Sequence, residues 1–435
     1  MASPDPSRAP RRGFHVMTKP IGPICNLKCS YCFYLEKTSL HPPGENYRMS
    51  DAVLESYVRQ HIAAQPGDEV LFAWQGGEPT LLGVDFFRRV VELEKRHANG
   101  RRISNAMQTN GVLLDDEWGA FLAENKFLIG LSVDGPRGIH DRYRVDGAGK
   151  PSFDRVMDGL ACLKRHGVEF NTLTVVGAHN SRKPLEVYRF LKEAGSGFLQ
   201  FIPLVERLPG SSAQALGLDL SLPPEHGKVE PRPLVTPWSV KPSDYGNFLV
   251  AIFEEWVRGD VGRVFVQIFD VALGIWTGQG AGLCVFAEKC GDALALEHNG
   301  DLYACDHFVY PKYRRGNLME TPLADMVASG AQRSFGADKN DTLPRVCIEC
   351  DVLFACNGEC PKHRFLKTPS GEGGLNYLCA GYKRFFRHVG PAMTTMSELL
   401  RAGRAPAEIM ALIRTRETQS DARRPCGSGK KFKTR

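Results

Sequence analysis

From residue 14 to about residue 204, short apolar runs alternate with longer stretches whose apolar residues recur at i, i+3 and i+4. The runs FHVMTKP, VLFAWQG, ISNAMQT, LIGLSVD, FNTLTVV and FLQFIPL read as β-strands. Between them, DAVLESYVRQHIAA, DFFRRVVELEKRHA, DEWGAFLAEN, FDRVMDGLACLKRHG and PLEVYRFLKEAG read as amphipathic helices. This alternation predicts a parallel sheet with right-handed crossovers. Six βα units are too few for a closed eight-fold barrel, so the choice is an open partial barrel or a doubly wound sheet. The loops favour the barrel. Polar or glycine-rich segments follow nearly every strand: a cysteine loop, Gly76 to Pro79, Gln108 to Asn110, Ser132 to Pro136, and Gly177 to Asn180. In a parallel barrel these loops share one face, where active sites are built.

The pattern breaks over 205–243, where seven prolines (209, 223, 224, 231, 233, 237 and 242) argue against regular structure. The expectation there is a long ordered loop, serving as a lid, a substrate wall or a spacer. Helical sequence resumes at Asp244, and a cysteine-rich region runs to residue 390. The expected divisions are a flexible tail over 1–13, a barrel over 14–243, a cysteine-rich domain over 244–390, helices over 391–420 and a basic flexible tail over 421–435.

Composition adds little until the cysteines are counted. The 435 residues are 43% hydrophobic and 24% charged, ordinary for a globular protein. No apolar run approaches the roughly 18 residues of a membrane span, and the first residues lack the apolar core of a secretory signal. A cytoplasmic protein without membrane attachment is expected. The net charge of +6 owes part of its excess to the tails, so nucleic-acid binding is not expected. Thirteen cysteines, in a chain long enough to build its own core, argue for metal ligation over disulfides. Three fall in one loop, eight lie between Cys284 and Cys379, and Cys162 and Cys426 stand apart. Cys162 lies on the apolar side of its helix and reads as a core residue.

Cys25, Cys29 and Cys32 are spaced to grip three corners of a cubane cluster, leaving the fourth iron open. This CxxxCxxC loop after a first strand, with GGEP one strand later, resembles the radical S-adenosylmethionine (SAM) superfamily. The resemblance implies that SAM chelates the open iron and yields a hydrogen-abstracting 5′-deoxyadenosyl radical. It also places Gly76, Gly77 and Glu78 near the SAM amino group, and Ser132 and Arg144 at its carboxylate. Tyr34, Gln75 and Gln108 are expected to line the same mouth.

Eight further cysteines suffice for two complete Cys₄ sites, with zinc as the alternative to iron–sulfur. Their CxxCx5CxxxC core resembles the SPASM extension of peptide-modifying radical SAM enzymes. The resemblance assigns Cys284, Cys290, Cys305 and Cys360 to one cluster, and Cys347, Cys350, Cys356 and Cys379 to the other. The expected fold is thus a partial (β/α)6 radical SAM barrel followed by a SPASM-type domain, with three [4Fe-4S] clusters in all.

The segments CGDALALEHNGDLYACDHFVYPKYRRGNL, LNYLCAGYKRFF and VTPWSVKPSDYGNF narrow the match, which covers about residues 14–390. They look like the anaerobic sulfatase-maturating enzymes, which oxidise a sulfatase cysteine or serine to Cα-formylglycine. That resemblance implies Asp306 as the base, an unfolded or nascent sulfatase as substrate, and flavodoxin or ferredoxin as electron donor. A SPASM enzyme forming a thioether or carbon–carbon crosslink in another peptide is the alternative. The terminal PCGSGKKFK resembles the end of a SEC-C zinc motif, but its paired cysteine and final ligands are absent.

Overall fold

A computed structural model describes residues 13–225 and 234–422. Both expected tails beyond these limits, with the terminal motif at Cys426, lie outside the described residues. All six expected strands form: β1 (His15–Lys19), β2 (Glu69–Trp74), β3 (Arg102–Thr109), β4 (Leu128–Ser132), β5 (Phe170–Val176) and β6 (Phe198–Pro203). They lie side by side in chain order and pair in parallel. The five expected helices form between them as α1 (Asp51–Ala64), α2 (Val84–His97), α3 (Asp116–Glu124), α4 (Phe153–Arg165) and α5 (Pro184–Glu193), and one further helical turn, Arg137–His140, follows β4.

The periodicities translate directly into packing. On β2, Val70, Phe72 and Trp74 are buried under the helices, while Leu71 and Ala73 alternate onto the other face. Ser50 caps α1 by accepting from Val53 N at 3.3 Å, and Asp115 caps α3 by accepting from Trp118 N at 3.0 Å. One polar chain runs through the helix layer: Trp74 Nε1 donates to Asn105 Oδ1, and Asn105 Nδ2 donates to the buried Glu94.

Most of the later strands join the barrel sheet, and only the short antiparallel pair Leu366–Lys367 and Gly373–Leu375 stands apart from it among the described residues. The chain follows through α6 (Pro242–Gly259), β7 (Phe265–Val266), α7 (Gln267–Trp276), β8 (Ala293–Glu297), β9 (Asp301–Tyr303), β10 (Arg314–Asn317) and α8 (Gly330–Asp341). Short β7 extends the barrel sheet beyond β6. At the opposite edge β8 pairs in parallel with β1, and β9 and β10 continue antiparallel. The result is one ten-stranded sheet crossing the division expected at residue 243. The division expected at 390 falls inside a helix, because α9 (Cys379–Arg401) continues through Pro391. A proline costs a helix one backbone hydrogen bond, and here the buried face from Tyr382 to Leu399 holds the helix together across it. Helix α10 (Ile409–Ala422) follows.

The described part of the proline-rich segment contains one helical turn, Ser211–Gln214, which proline counting did not anticipate. Its backbone at Asp219 and Leu220 donates to Glu36 Oε2, and its Glu206 pairs with Lys362. The segment therefore bridges the region after the first cysteines and the C-terminal cysteine region.

Candidate active site and cluster-binding cysteines

Because β1 to β6 are parallel, their carboxyl ends share one rim, and most of the expected site residues sit on it. The cysteine loop follows β1, and the GGEP loop docks on it through two backbone bonds: Gly77 N donates to Gly22 O at 2.7 Å and Glu78 N to Ile24 O at 2.8 Å. No larger residue fits. A Cβ on Gly77 would lie 1.8 Å from Ile24 O, and Gly76 adopts φ of +143°.

Glu78 is buried, and its carboxylate accepts from Thr80 N, the Thr80 and Thr109 hydroxyls, and Asn110 N. These protein donors occupy it, so its carboxylate ties the loop to its neighbours. Asn110 then reaches Asn26 Oδ1 at 2.7 Å and Cys25 Sγ at 3.7 Å.

Ser132 closes β4 on the same rim. Arg144 is nearly buried and donates through Nε to Asp134 at 3.1 Å. Asp134 also accepts from Tyr31 OH at 2.6 Å. Arg144 acts electrostatically on the thiols of Cys25, Cys29 and Cys32, which places its guanidinium beside the cysteine loop. Burial pushes the Cys25 and Cys29 thiols up to about 12.

Gln75 donates to Gln108 at 2.6 Å above an inner-face cavity of about 150 Å3, lined also by Met17, Gly130, Leu173 and Gln200. Across the mouth Tyr34 donates to the buried Glu297 on β8. Asp306 follows Cys305 in a 3₁₀ turn and forms an ion pair with Lys19. Burial works to raise the Asp306 carboxyl, but Lys19 and the neighbouring His307 outweigh it and hold the group below the usual carboxylate range. Beside it, burial drives His307 down to about 3, leaving a neutral ring whose Nδ1 lies 3.6 Å from Cys360 Sγ.

Among the eight later cysteines, electrostatic influence runs within two groups. Cys360 is under the influence of Cys305, Cys290 and Cys284. Cys347 responds to Cys379 and Cys350, and Cys356 to Cys379 and Cys347. Among the described residues, the groups of three or more ligand atoms within 4.8 Å of one another are His41–Glu297–His298 and Asp116–Cys162–His166, neither of which contains a clustered cysteine. A buried cation stands by the inner set: Lys339, on α8, donates to Cys284 O at 2.7 Å and Val285 O at 2.9 Å.

Residues 20–191 match the Radical SAM superfamily, and residues 284–351 match SPASM, an iron–sulfur cluster-binding domain. The chain is 47% identical over 400 residues to the serine-type anaerobic sulfatase-maturating enzyme of Bacteroides thetaiotaomicron, covering 92% of this chain and 95% of that one. The chain belongs to the anaerobic sulfatase-maturating enzyme family. The resemblance drawn from the cysteine and GGEP motifs is thereby borne out. A cysteine-type family member from Clostridium perfringens is 34% identical, covering 88% of this chain and 98% of that one. The fold is also that of a family structure described as native anSMEcpe with bound AdoMet and the Cp18Cys peptide. That structure superposes with a TM-score of 0.76 at 32% identity, covering 89% of this chain and 99% of the other. The chain is accordingly a radical SAM enzyme with a SAM-binding cluster and auxiliary iron–sulfur clusters.

Lys19 and Lys339 had no signal in the sequence. Each is a lone lysine whose burial depends on partners far along the chain.

Proposed function

We propose that this enzyme oxidises a cysteine or serine of a sulfatase polypeptide to Cα-formylglycine, with Asp306 as the base. The observation that carries the reading is the placement of Asp306: beside ligand candidate Cys305, ionised, and at the mouth shared with Tyr34, Gln75 and Gln108. SAM bound at the first cluster supplies the radical that removes a Cβ hydrogen from the target residue. Asp306 takes the thiol or hydroxyl proton, which requires hydrogen-bond reach of roughly 2.6–3.2 Å, or one water. An auxiliary cluster held by Cys284, Cys290, Cys305 and Cys360 would supply an acceptor for the remaining electron, which completes the aldehyde from serine and, from cysteine, a thioaldehyde that water hydrolyses with release of hydrogen sulfide. Arg144 and Ser132, with the backbone at Gly76 and Gly77, hold the SAM amino acid moiety, and Arg144 suits its carboxylate. Cys25, Cys29 and Cys32 ligate the first cluster. Cys284, Cys290, Cys305 and Cys360 ligate the inner auxiliary cluster, and Cys347, Cys350, Cys356 and Cys379 the outer one.

Greater identity to serine-type relatives supports acceptance of serine. A small iron–sulfur or flavin protein, such as ferredoxin or flavodoxin, delivers the electron that SAM cleavage consumes. A cysteine set assigned to clusters fits a reducing cytoplasm, and no helix of the described residues is long and apolar enough to cross a membrane.

The test is anaerobic turnover of reconstituted wild-type and Asp306→Asn enzyme on paired sulfatase peptides carrying cysteine or serine. Wild type is expected to give peptide aldehyde and 5′-deoxyadenosine together, and Asp306→Asn to give deoxyadenosine with little aldehyde. Full aldehyde yield from the variant removes Asp306 as base, and a crosslinked product moves the enzyme to another peptide chemistry.

A further inference from the structure

Lys19 ends β1 with its side chain only 1% exposed, and a lysine is seldom buried to that extent without a specific partner. Three groups meet its ammonium. It forms an ion pair with Asp306 Oδ1. It donates to Gln75 Oε1 at 3.4 Å, and it lies 4.2 Å from the centroid of the Tyr34 ring. These partners come from three separate segments: the turn after Cys305, the loop after β2, and the cysteine loop.

The two oxygens of Asp306 are not equivalent. Oδ1, the atom paired with Lys19, is buried, whereas the Asp306 side chain as a whole is 18% exposed. Lys19 therefore holds the buried oxygen, and the exposed part of the side chain lies elsewhere on the group.

We infer that Lys19 is a positioning residue for formylglycine formation, fixing the Asp306 carboxylate in register with Tyr34 and Gln75 and turning its free edge to the substrate. The inference rests on Asp306 acting as the base. Closed off at 1% exposure, the ammonium is shielded from the substrate and acts through the carboxylate. A buried carboxylate needs such a partner, because removing one member of a buried pair leaves the other charge uncompensated. The strand end is itself held closely: a Cβ on Gly76 would come within 3.4 Å of Lys19 Cα and 3.1 Å of Gly22 O. The first glycine of GGEP thus lets the β2 loop lie against the Lys19 backbone. Placement of this kind matters because a misplacement of about 1 Å in a reacting group can cost about 100-fold in rate.

The test compares reconstituted holoenzymes: wild type, Lys19→Met, Lys19→Arg, Asp306→Asn, and the double variant Lys19→Met/Asp306→Asn. The measurements are iron content, the electron paramagnetic resonance spectrum of the reduced first cluster with and without SAM, 5′-deoxyadenosine, peptide aldehyde, and kcat and KM for the peptide. Lys19→Met is expected to keep its iron, its spectrum and its deoxyadenosine formation. Its aldehyde per deoxyadenosine is expected to fall by about tenfold or more, through kcat, with KM within about twofold of wild type. Lys19→Arg, which keeps the charge, is expected to recover most of the yield, and the double variant to be no worse than Asp306→Asn. An unchanged aldehyde ratio in Lys19→Met overturns the inference, as does a cluster-loaded Lys19→Arg as poor as Lys19→Met. A double variant far worse than Asp306→Asn also overturns it, because Lys19 would then act independently of the carboxylate. Should Lys19→Met fail to fold, the arginine and double variants still decide, since neither strands a lone buried charge. If Asp306→Asn keeps full aldehyde yield, the base assignment itself fails. If Asp306→Asn is inactive and Lys19→Met is normal, only the role of Lys19 fails.

Discussion

Glu78 Oε2 accepts the backbone N–H of Asn110 at 2.8 Å, tying the loop after β2 to the loop after β3. Asn110 in turn contacts the Asn26 and Cys25 side chains, so the carboxylate supports the first cluster from two residues away. Glu78→Gln places an amide where four donors converge. Expected are a stability loss of about 1–3 kcal/mol from unsatisfied buried groups and weaker loading of the first cluster. Thermal melting and iron content after reconstitution check both.

Gly77→Ala is expected to be more severe, because its Cβ would overlap the Ile24 carbonyl at 1.8 Å. The collision is with backbone, one residue before Cys25, so rotamer changes offer no relief. The variant is expected to lose about four iron atoms per chain, one cubane's worth, and SAM cleavage with them, while the auxiliary clusters remain visible spectroscopically.

Paired cysteine substitutions test which thiols share a cluster. Cys290→Ala combined with Cys305→Ala is expected to remove about four iron atoms, like either alone, whereas Cys305→Ala with Cys379→Ala is expected to remove about eight. Equal losses from the two pairs would refute the assignment of the two sets.

Glu94 links stability to pH. Its side chain is buried beneath α2 with Asn105 Nδ2 at 2.8 Å, and burial pushes its carboxyl from 4.5 up to about 8. The folded state therefore retains a proton that the unfolded chain releases. The associated stabilisation is complete below about pH 4.5 and is lost as pH rises through about 8. Glu94→Gln keeps an acceptor for Asn105 without the ionisation. It is expected to melt above wild type at pH 8.5, with the gap closing at pH 5. A gap that does not change with pH would refute the linkage.

The barrel was readable because its chemistry is periodic. Six strands and five helices announce themselves through alternation and 3.6-residue spacing, and Cys25, Cys29 and Cys32 through local spacing. The continuation of the sheet was less visible. ALALE and DLY, joined through His298, Asn299 and Gly300, carry a hairpin signal. Nothing local says that β8 pairs with β1, far earlier in the chain. For Glu78, the sequence shows a carboxylate but not the four protein donors that converge on it. Lys19 was missed for the same reason. Its partners Asp306 and Tyr34 meet only when the fold closes, and helix α9 crosses Pro391 because tertiary burial outweighs a local breaker.

The central position of β1, between β2 and β8, sets a timetable for synthesis. Its first neighbour is made within about fifty residues, but the second begins only at Ala293. At elongation rates of about 5–20 residues per second, the outer edge of β1 stays unpaired for roughly 15–55 s. During that interval the nascent chain carries an open strand edge beside three thiols, and such edges invite pairing with other chains. Fragments ending before residue 293 lack β8 and leave that edge open.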